Sequence, residues 1–166
     1  MLVISLLAAC QNAAPKDIEG QINSGDDIDG MVFQPIEKMD WDISLADLCD
    51  TANAQETTNS SEMSCYTAPG SDVFFGSCAG VWFDDLDEAD KLWREFDMEA
   101  TFDGQEINLP SFGYLDVELP ASQKQYARIW NLMVENISTG THIIVCSEIA
   151  EGEIVDTRTF NFTVSE

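Results

Sequence analysis

The stretch that decides the fold is WNLMVENISTGTHIIVCSEIAEGEIVDTRTFNFTV, residues 130–164, in which apolar and polar residues alternate between turn signals. Its end, TFNFTV at 159–164, places two phenylalanines and a valine on one side of a strand and three polar residues on the other. The turn signals are the segment 136–140 and the pair Glu151-Gly152. Such alternation is typical of strands that bury one face, so the run predicts successive β-strands packed on a core.

The same alternation of apolar and polar residues continues toward the N-terminus. Residues 98–102 alternate, Asp103-Gly104 is a strong two-residue hairpin signal, and residues 113–119 form a further alternating strand. The run 126–135 is apolar on both faces and is predicted to be a single central strand.

A helix is predicted before these strands. Asp85 can cap it, with Glu88 three residues later in the capping-box position, and apolar residues follow at helical spacing as far as Phe96. A second, shorter helix is predicted from Ser44. Short alternating strands with regular turns favour a β-sandwich.

Two features of residues 98–164 resemble bacterial immunoglobulin-like domains. They are the turn Gly140-Thr141-His142, which leads into a strand, and the terminal Thr-Phe-x-Phe-x-Val strand at 159–164. The resemblance implies a mainly β fold, an Ig-like antiparallel β-sandwich with one or two short helices inserted before the hairpin strands. Residues 31–96 depart from a plain module of this family and could be an insertion, a decoration or the first strands of the same sandwich.

The N-terminus has the pattern of an export signal. Residues 1–9, MLVISLLAA, are too few to span a membrane, and the tetrapeptide Leu7-Ala8-Ala9-Cys10 resembles the lipobox of bacterial lipoproteins. The resemblance implies a signal peptide at 1–9 and a diacylglycerol-modified Cys10. The chain departs from ordinary signals in having no Lys or Arg before Cys10.

The stretch after Cys10 is polar and rich in glycine and acids. Residues 10–30 are predicted to be an acidic flexible tether, because they offer little apolar surface to repay the entropy of ordering. Residues 31–166 are predicted to form one domain.

Four further cysteines, an even number in an exported chain, predict two disulfides. Three pairings are open. We favour Cys49 with Cys65, which bracket a polar stretch, and Cys78 with Cys146, which lie in apolar runs. A zinc site is disfavoured, because the chain has neither C-x2-C spacing nor clustered histidines.

The chain carries 31 Asp and Glu against seven Lys and Arg, for a formal net charge of −24. This balance argues against binding to nucleic acids or to anionic lipid surfaces, both of which are recognised by basic side chains. The acids are concentrated in residues 17–103, which hold 22 of them. The run DDIDG at 26–30 lacks the spacing of a calcium-binding EF-hand, since position 36 is Ile36.

No residue of the sequence predicts catalysis, a metal site or a cofactor. His142 is the only histidine, and neither the G-x-S-x-G motif nor a phosphate-binding loop is present. Of the four tryptophans, Trp93 and Trp130 lie on apolar faces and are predicted to be core residues. Trp41 and Trp82, near segment ends, are the candidates for contact with a partner.

These patterns predict a non-enzymatic protein of the bacterial cell envelope, facing the extracytoplasmic side and held to the membrane by lipid on Cys10. Its role would be structural, or the binding of a protein or glycan partner. Two alternatives are a secreted hydrolase that uses paired carboxylates and a calcium-binding surface protein.

Overall fold

The computed structural model of the chain describes residues 17–38, 43–78, 80–119 and 126–166. Cys10, the signal sequence and Trp41 lie outside these residues. The described part is mainly β, with three sheets and one helix of 10 residues, which confirms the predicted β-sandwich with a short helix. No helix in the described ranges is long and apolar enough to span a membrane.

Thirteen strands follow one another in the described residues. They are β1 (Asp27–Ile28), β2 (Met31–Gln34), β3 (Gln55–Glu56), β4 (Ser60–Thr67), β5 (Val73–Phe74), β6 (Gly80–Phe83), β7 (Asp97–Phe102), β8 (Gln105–Glu106), β9 (Tyr114–Glu118), β10 (Tyr126–Trp130), β11 (Met133–Glu135), β12 (Gly140–Ala150) and β13 (Glu153–Val164). The helices are α1 (Leu45–Leu48) and α2 (Leu86–Glu95), with short 3-10 turns at Thr51–Asn53, Gly76–Cys78 and Leu109–Phe112.

The largest sheet has six strands in the order β3-β4-β13-β12-β7-β8. A second sheet has the order β1-β2-β11-β5, and a third has the order β6-β10-β9. The strand pairs are antiparallel except for β4 and β13, which run parallel. The parallel pair differs from the all-antiparallel arrangement that the Ig-like resemblance implies.

The core lies on both faces of the four-stranded sheet. Between this sheet and the six-stranded sheet lies the larger apolar cluster, in which Phe33 meets Phe102 edge to face at 5.2 Å and Phe75 meets Phe162 at 5.6 Å. On the opposite side, Phe74 of β5 packs with apolar residues of β9 and β10 in a smaller cluster. The domain is therefore built of three sheet layers.

The segment 17–30, predicted to be part of a flexible tether, belongs to the folded domain. Ile22 is fully buried in the larger apolar cluster. Its backbone N–H donates to the Glu106 carbonyl (2.8 Å), and its own carbonyl accepts from the Asn108 N–H (2.9 Å). The tether prediction is wrong for these residues, because one well-placed isoleucine and paired backbone groups anchor an otherwise polar stretch.

The acidic run 26–30 forms the tight turn of a hairpin rather than a cation loop. Asp29 and Gly30 have φ values of 54° and 85°, and the Gly30 N–H donates to the Asp27 carboxylate at 2.8 Å. These left-handed values match the two-residue turns that suit the twist of paired strands.

The structure joins Cys49 to Cys65 and Cys78 to Cys146, which confirms the favoured pairing. The first disulfide fixes the end of α1 to β4, and the second fixes the 3-10 turn at Gly76–Cys78 to β12. Disulfides of this kind persist in oxidising compartments, so the chain belongs in an extracytoplasmic environment.

The predicted central strand at 126–135 is divided between two sheets. It breaks at Asn131, which is buried, and continues as β11 in the four-stranded sheet. The Asn131 side chain accepts from the Ile36 N–H and donates to the Ile36 carbonyl, both at 2.9 Å. These side-chain hydrogen bonds replace the backbone hydrogen bonds that a continuous strand would make where the chain passes from one sheet to the other.

Candidate functional site

A groove of about 460 Å³ lies on the inner face of the six-stranded sheet, at the end where the β12–β13 hairpin turns. This volume is within the range of small-molecule pockets, about 300–1,000 Å³. The lining residues come from α1, the following loop, β3, β4 and β13: Leu45, Ala54, Glu56, Thr57, Ser60, Ser61, Met63, Asp156, Arg158 and Phe160.

The groove begins where the inner face of two neighbouring strands changes from apolar to polar. Along β13, the inner positions are buried and apolar from Val164 back to Phe160, and Arg158 and Asp156 then occupy the next two. On β4, the register places Ser61 beside Arg158 and Met63 beside Phe160. Polar residues therefore interrupt the core at the same level on both strands.

Arg158 is the basic residue of the groove and is held at two of its nitrogens. Nη1 donates to the carbonyl of Cys78 at 3.1 Å, next to the second disulfide, and Nε donates to Asp156 Oδ2 at 3.1 Å. About a third of the side chain is exposed, at 35 %. Nη2 has no hydrogen-bond partner among the described residues. The guanidinium is thus fixed in place with donors left for a ligand.

The other polar groups of the groove both donate and accept. The hydroxyls of Thr57 and Ser60 lie 2.6 Å apart in the turn between β3 and β4, where the Thr57 N–H donates to the Ser60 carbonyl at 2.8 Å. Glu56 and Asp156 supply carboxylate oxygens. Leu45 and Phe160 are the most buried lining residues and form an apolar floor.

Arg128 provides a contrast, because its guanidinium is committed to the fold. Nε and Nη2 donate to the two oxygens of Asp116 at 2.6 and 2.8 Å, and Nη1 donates to Asp90 at 2.8 Å. Arg128 also stacks on Tyr114, 4.1 Å from the ring centre. Its hydrogen bond to Asp116 raises the pKa of Arg128, and its hydrogen bond to Asp90 lowers the pKa of that carboxyl. The contacts join α2 to the three-stranded sheet.

His142 lies between an acid and a serine, in the outline of a Ser-His-Asp arrangement. Its Nδ1 is 2.8 Å from Asp103 Oδ2, and its Nε2 is 3.2 Å from Ser138 Oγ. However, Nε2 is also 3.0 Å from the carbonyl of Ser138, and Asp103 Oδ1 accepts from the Ile143 N–H at 2.7 Å. Neither His142 nor Ser138 lines the groove. These contacts tie a hairpin turn to a neighbouring loop.

The three tryptophans that the structure describes do not line the groove. Trp82, a predicted partner contact, is 45 % exposed on β6 and is not a lining residue. Trp93 and Trp130, predicted to be core residues, are half-buried against each other, with ring centres 4.8 Å apart. The groove residues were not among the predicted partner contacts. Their signal in the sequence is Arg158, a charged residue on the inner face of an otherwise apolar strand.

Comparison with protein-family models, with curated proteins and with solved structures finds no match to this chain. Within the part of the chain that the structure describes, no three His, Cys, Asp or Glu residues are grouped so as to hold a metal ion. The groove geometry is therefore the main guide to function.

Proposed function

We propose that this chain is a lipid-anchored, extracytoplasmic module of the bacterial cell envelope that binds a ligand in the groove and catalyses no reaction. The lipobox-like residues before Cys10 support the anchor, and the two disulfides agree with an oxidising compartment. The net charge of −24 suits a well-solvated exterior domain.

The observation that best supports the binding role is the set of hydrogen bonds that the Arg158 guanidinium makes. A guanidinium satisfied by carboxylates, such as that of Arg128, stabilises a fold. Arg158 is instead anchored at Nη1 and Nε, and its Nη2 has no partner in the part of the chain that the structure describes. Preorganised donors beside an apolar floor are the usual composition of a small-molecule site.

A binding role fits the carboxylates of the groove better than hydrolysis does. Hydrolysis of a glycoside by paired carboxylates requires one of them to act as a proton donor. Asp156 is engaged in an ion pair with Arg158, and Glu56 lies at the exposed rim. This arrangement favours recognition over acid–base chemistry.

The binding role is tested by titrating ¹⁵N-labelled protein with a library of small fragments and mapping the amide shifts. We expect hits to perturb residues of the groove, such as Thr57, Ser61 and Arg158, more than the rest of the chain. Shifts scattered over the surface, or confined to the exposed Trp82, would overturn the assignment of the groove.

The anchor is tested by replacing Cys10 in the full chain expressed in a bacterium. Cys10→Ser should move the protein from the membrane fraction to the soluble fraction, whereas Gln11→Ala should leave it in the membrane. If the Cys10→Ser protein stays in the membrane fraction, the lipid anchor is wrong.

A further inference from the structure

We propose that the groove binds a neutral, hydroxyl-rich ligand, namely a carbohydrate of one or two sugar units. This inference rests on the proposed binding function and specifies its ligand.

The charges of the groove favour a neutral ligand. Its lining has one basic residue, Arg158, and two acidic ones, Glu56 and Asp156, and the chain around it has a net charge of −24. An anion would meet the repulsion of the whole molecule. A cation would have to lie beside the guanidinium, which already takes up the charge of Asp156.

The polar groups of the groove match a ligand that both donates and accepts at many points. Arg158 offers donors, Asp156 and Glu56 offer acceptors, and the hydroxyls of Thr57 and Ser61 can do either. A sugar hydroxyl also both donates and accepts, so that neighbouring hydroxyls can satisfy a carboxylate and a guanidinium at once. Leaving these groups unpaired on binding would be costly, which disfavours a purely apolar ligand.

The apolar floor completes the match with a sugar. Leu45, Met63 and Phe160 line the groove together with the polar groups, and a pyranose ring has C–H faces as well as a rim of hydroxyls. The volume of about 460 Å³ suits a small molecule rather than a polymer chain bound along its length.

A peptide is less well matched to this site. Extended peptides are commonly recognised by adding a strand to a free sheet edge, where backbone groups make the contacts. In the groove, the polar contacts are offered by side chains on the inner sheet face, at Ser61, Asp156 and Arg158. The side chains of the groove therefore favour a carbohydrate.

The experiment is a titration of the full chain with both disulfides formed, followed by amide shifts and calorimetry. The neutral probes are N,N′-diacetylchitobiose and cellobiose, the charged probes are glucuronic acid and glucosamine, and the peptide probe is N-acetyl-alanyl-alanine methylamide. We expect saturable binding of at least one neutral sugar at the groove, tighter than any charged or peptide probe.

Three variants connect binding to the groove. Arg158→Gln should weaken binding of the neutral sugar about tenfold or more, because it removes the charged donor. Ala54→Trp should abolish binding by filling the groove, and it removes no hydrogen bond of the fold. Arg94→Gln, an equal change of charge on exposed α2, should leave the affinity unchanged. Thermal unfolding of each variant verifies that it is folded.

The possible failures are distinguishable. If the groove binds fragments, or a charged or peptide probe, but neither neutral sugar, the carbohydrate inference is wrong and the binding function stands. If Ala54→Trp binds the sugar as tightly as the unchanged chain does, the sugar lies elsewhere and the inference is again wrong. If no fragment and no probe perturbs the groove, the proposed function fails with it.

Discussion

Arg128 and Arg158 both project from β-strands, yet their contacts give them different roles. Three nitrogens of Arg128 donate to carboxylates and its side chain is 7 % exposed. Arg158 makes one contact to a carboxylate and one to a backbone carbonyl, and is half-buried. Arg158 is the basic residue that lines the groove, and its Nη2 has no partner among the described residues, so we assign it to a ligand.

Replacing Arg128 should destabilise the fold. Arg128→Leu leaves Asp116 and Asp90 without their partner, and because both carboxylates reach solvent we expect a loss of about 1–3 kcal/mol, less than for a fully buried pair. Arg94→Leu, on the exposed face of α2, should change the free energy of unfolding by about 0.5 kcal/mol or less. Urea unfolding at neutral pH measures both, and equal losses would contradict this role for Arg128.

The same ion pair should make stability depend on pH through Asp90. Its hydrogen bond to Arg128 lowers the pKa of Asp90 below the ordinary value of 3.8. A depressed carboxyl pKa stabilises the folded state at pH values above the unfolded pKa, and this contribution is lost as the pH falls through the folded pKa. The raised pKa of Arg128 keeps the guanidinium charged throughout this range.

The measurement is urea unfolding of the unchanged chain and of Asp90→Asn at several pH values from 7 down to 3. The unchanged chain should be the more stable of the two at pH 7, and the difference should shrink below about pH 4. A difference that stays constant or grows on acidification would show that the Asp90 pair does not contribute in this way.

Asp103 should matter to stability as an acceptor for two neighbours. Asp103→Ala removes the acceptor of both His142 Nδ1 and the Ile143 N–H, and we expect a loss of about 1–3 kcal/mol. Asp103→Asn should lose less, since an amide oxygen can still accept and Asn tolerates the φ of 50° at this turn. If thermal or urea unfolding gives Asp103→Ala the stability of the unchanged chain, the contacts of Asp103 are not stabilising.

A serine-directed probe distinguishes this structural role from catalysis. A fluorophosphonate should leave Ser138 unlabelled at concentrations that label a control serine hydrolase, and Ser138→Ala should be folded and indistinguishable in the assay. Labelling of the unchanged chain that Ser138→Ala abolishes would overturn the proposal that the protein is not an enzyme.

At the level of elements, the sequence predicted those whose pattern is local. Asp85 caps α2 by accepting from the Asp87 N–H at 3.0 Å, and the pair Asp103-Gly104 turns between β7 and β8. The terminal strand, β13, buries the phenylalanines that its alternation assigned to the inner face. Each of these elements is specified by residues close together in the chain.

The elements that escaped prediction depend on distant partners. β4 is rich in serine and resembles a loop by composition, but it pairs with β13, some 90 residues later, and buries Cys65 against it. The break in the strand at Asn131 depends on backbone groups of Ile36. The groove also depends on distant partners, because β4 and β13, which are far apart in the sequence, together supply most of its polar residues.

The first disulfide should support both the fold and the groove. Removing it with Cys49→Ala and Cys65→Ala opens a loop closed across 16 residues, at a cost of about 3 kcal/mol in the chain-entropy model. Leu45 and Ala54, two of the residues that line the groove, flank Cys49 along the chain. We therefore expect this double variant to unfold at lower urea concentration and to give weaker groove shifts with the fragments.

Removal of the second disulfide provides a comparison for the stability loss expected from removing the first. Cys78 and Cys146 are separated by 68 residues, so the same model gives a larger loss, about 4 kcal/mol. If the Cys49–Cys65 double variant keeps its full stability, and fragments still shift the amide signals of the groove residues as before, the groove does not depend on that disulfide.

Over the whole molecule, the acidic charge belongs mainly to the folded surface. Residues 17–30 carry five of the acids and pack on the domain, so their charge cannot be assigned to a loose spacer. The formal net charge of −24 is therefore concentrated on a small domain, where like charges repel one another. In the groove, Arg158 and Asp156 form an ion pair, so one of its two acids is matched by a base.

This concentration of charge should make stability rise with ionic strength. Screening at 0.5 M NaCl shortens the range of repulsion to about 4 Å, against about 20 Å at 20 mM, so the melting temperature should increase between the two. Calcium chloride and magnesium chloride at matched ionic strength should raise it equally, since screening depends on charge rather than on ion identity. A melting temperature that falls with NaCl would show that repulsion does not limit stability. An increase with calcium well beyond that with magnesium would instead favour the calcium-binding alternative, with carboxylates gathered around a specific ion.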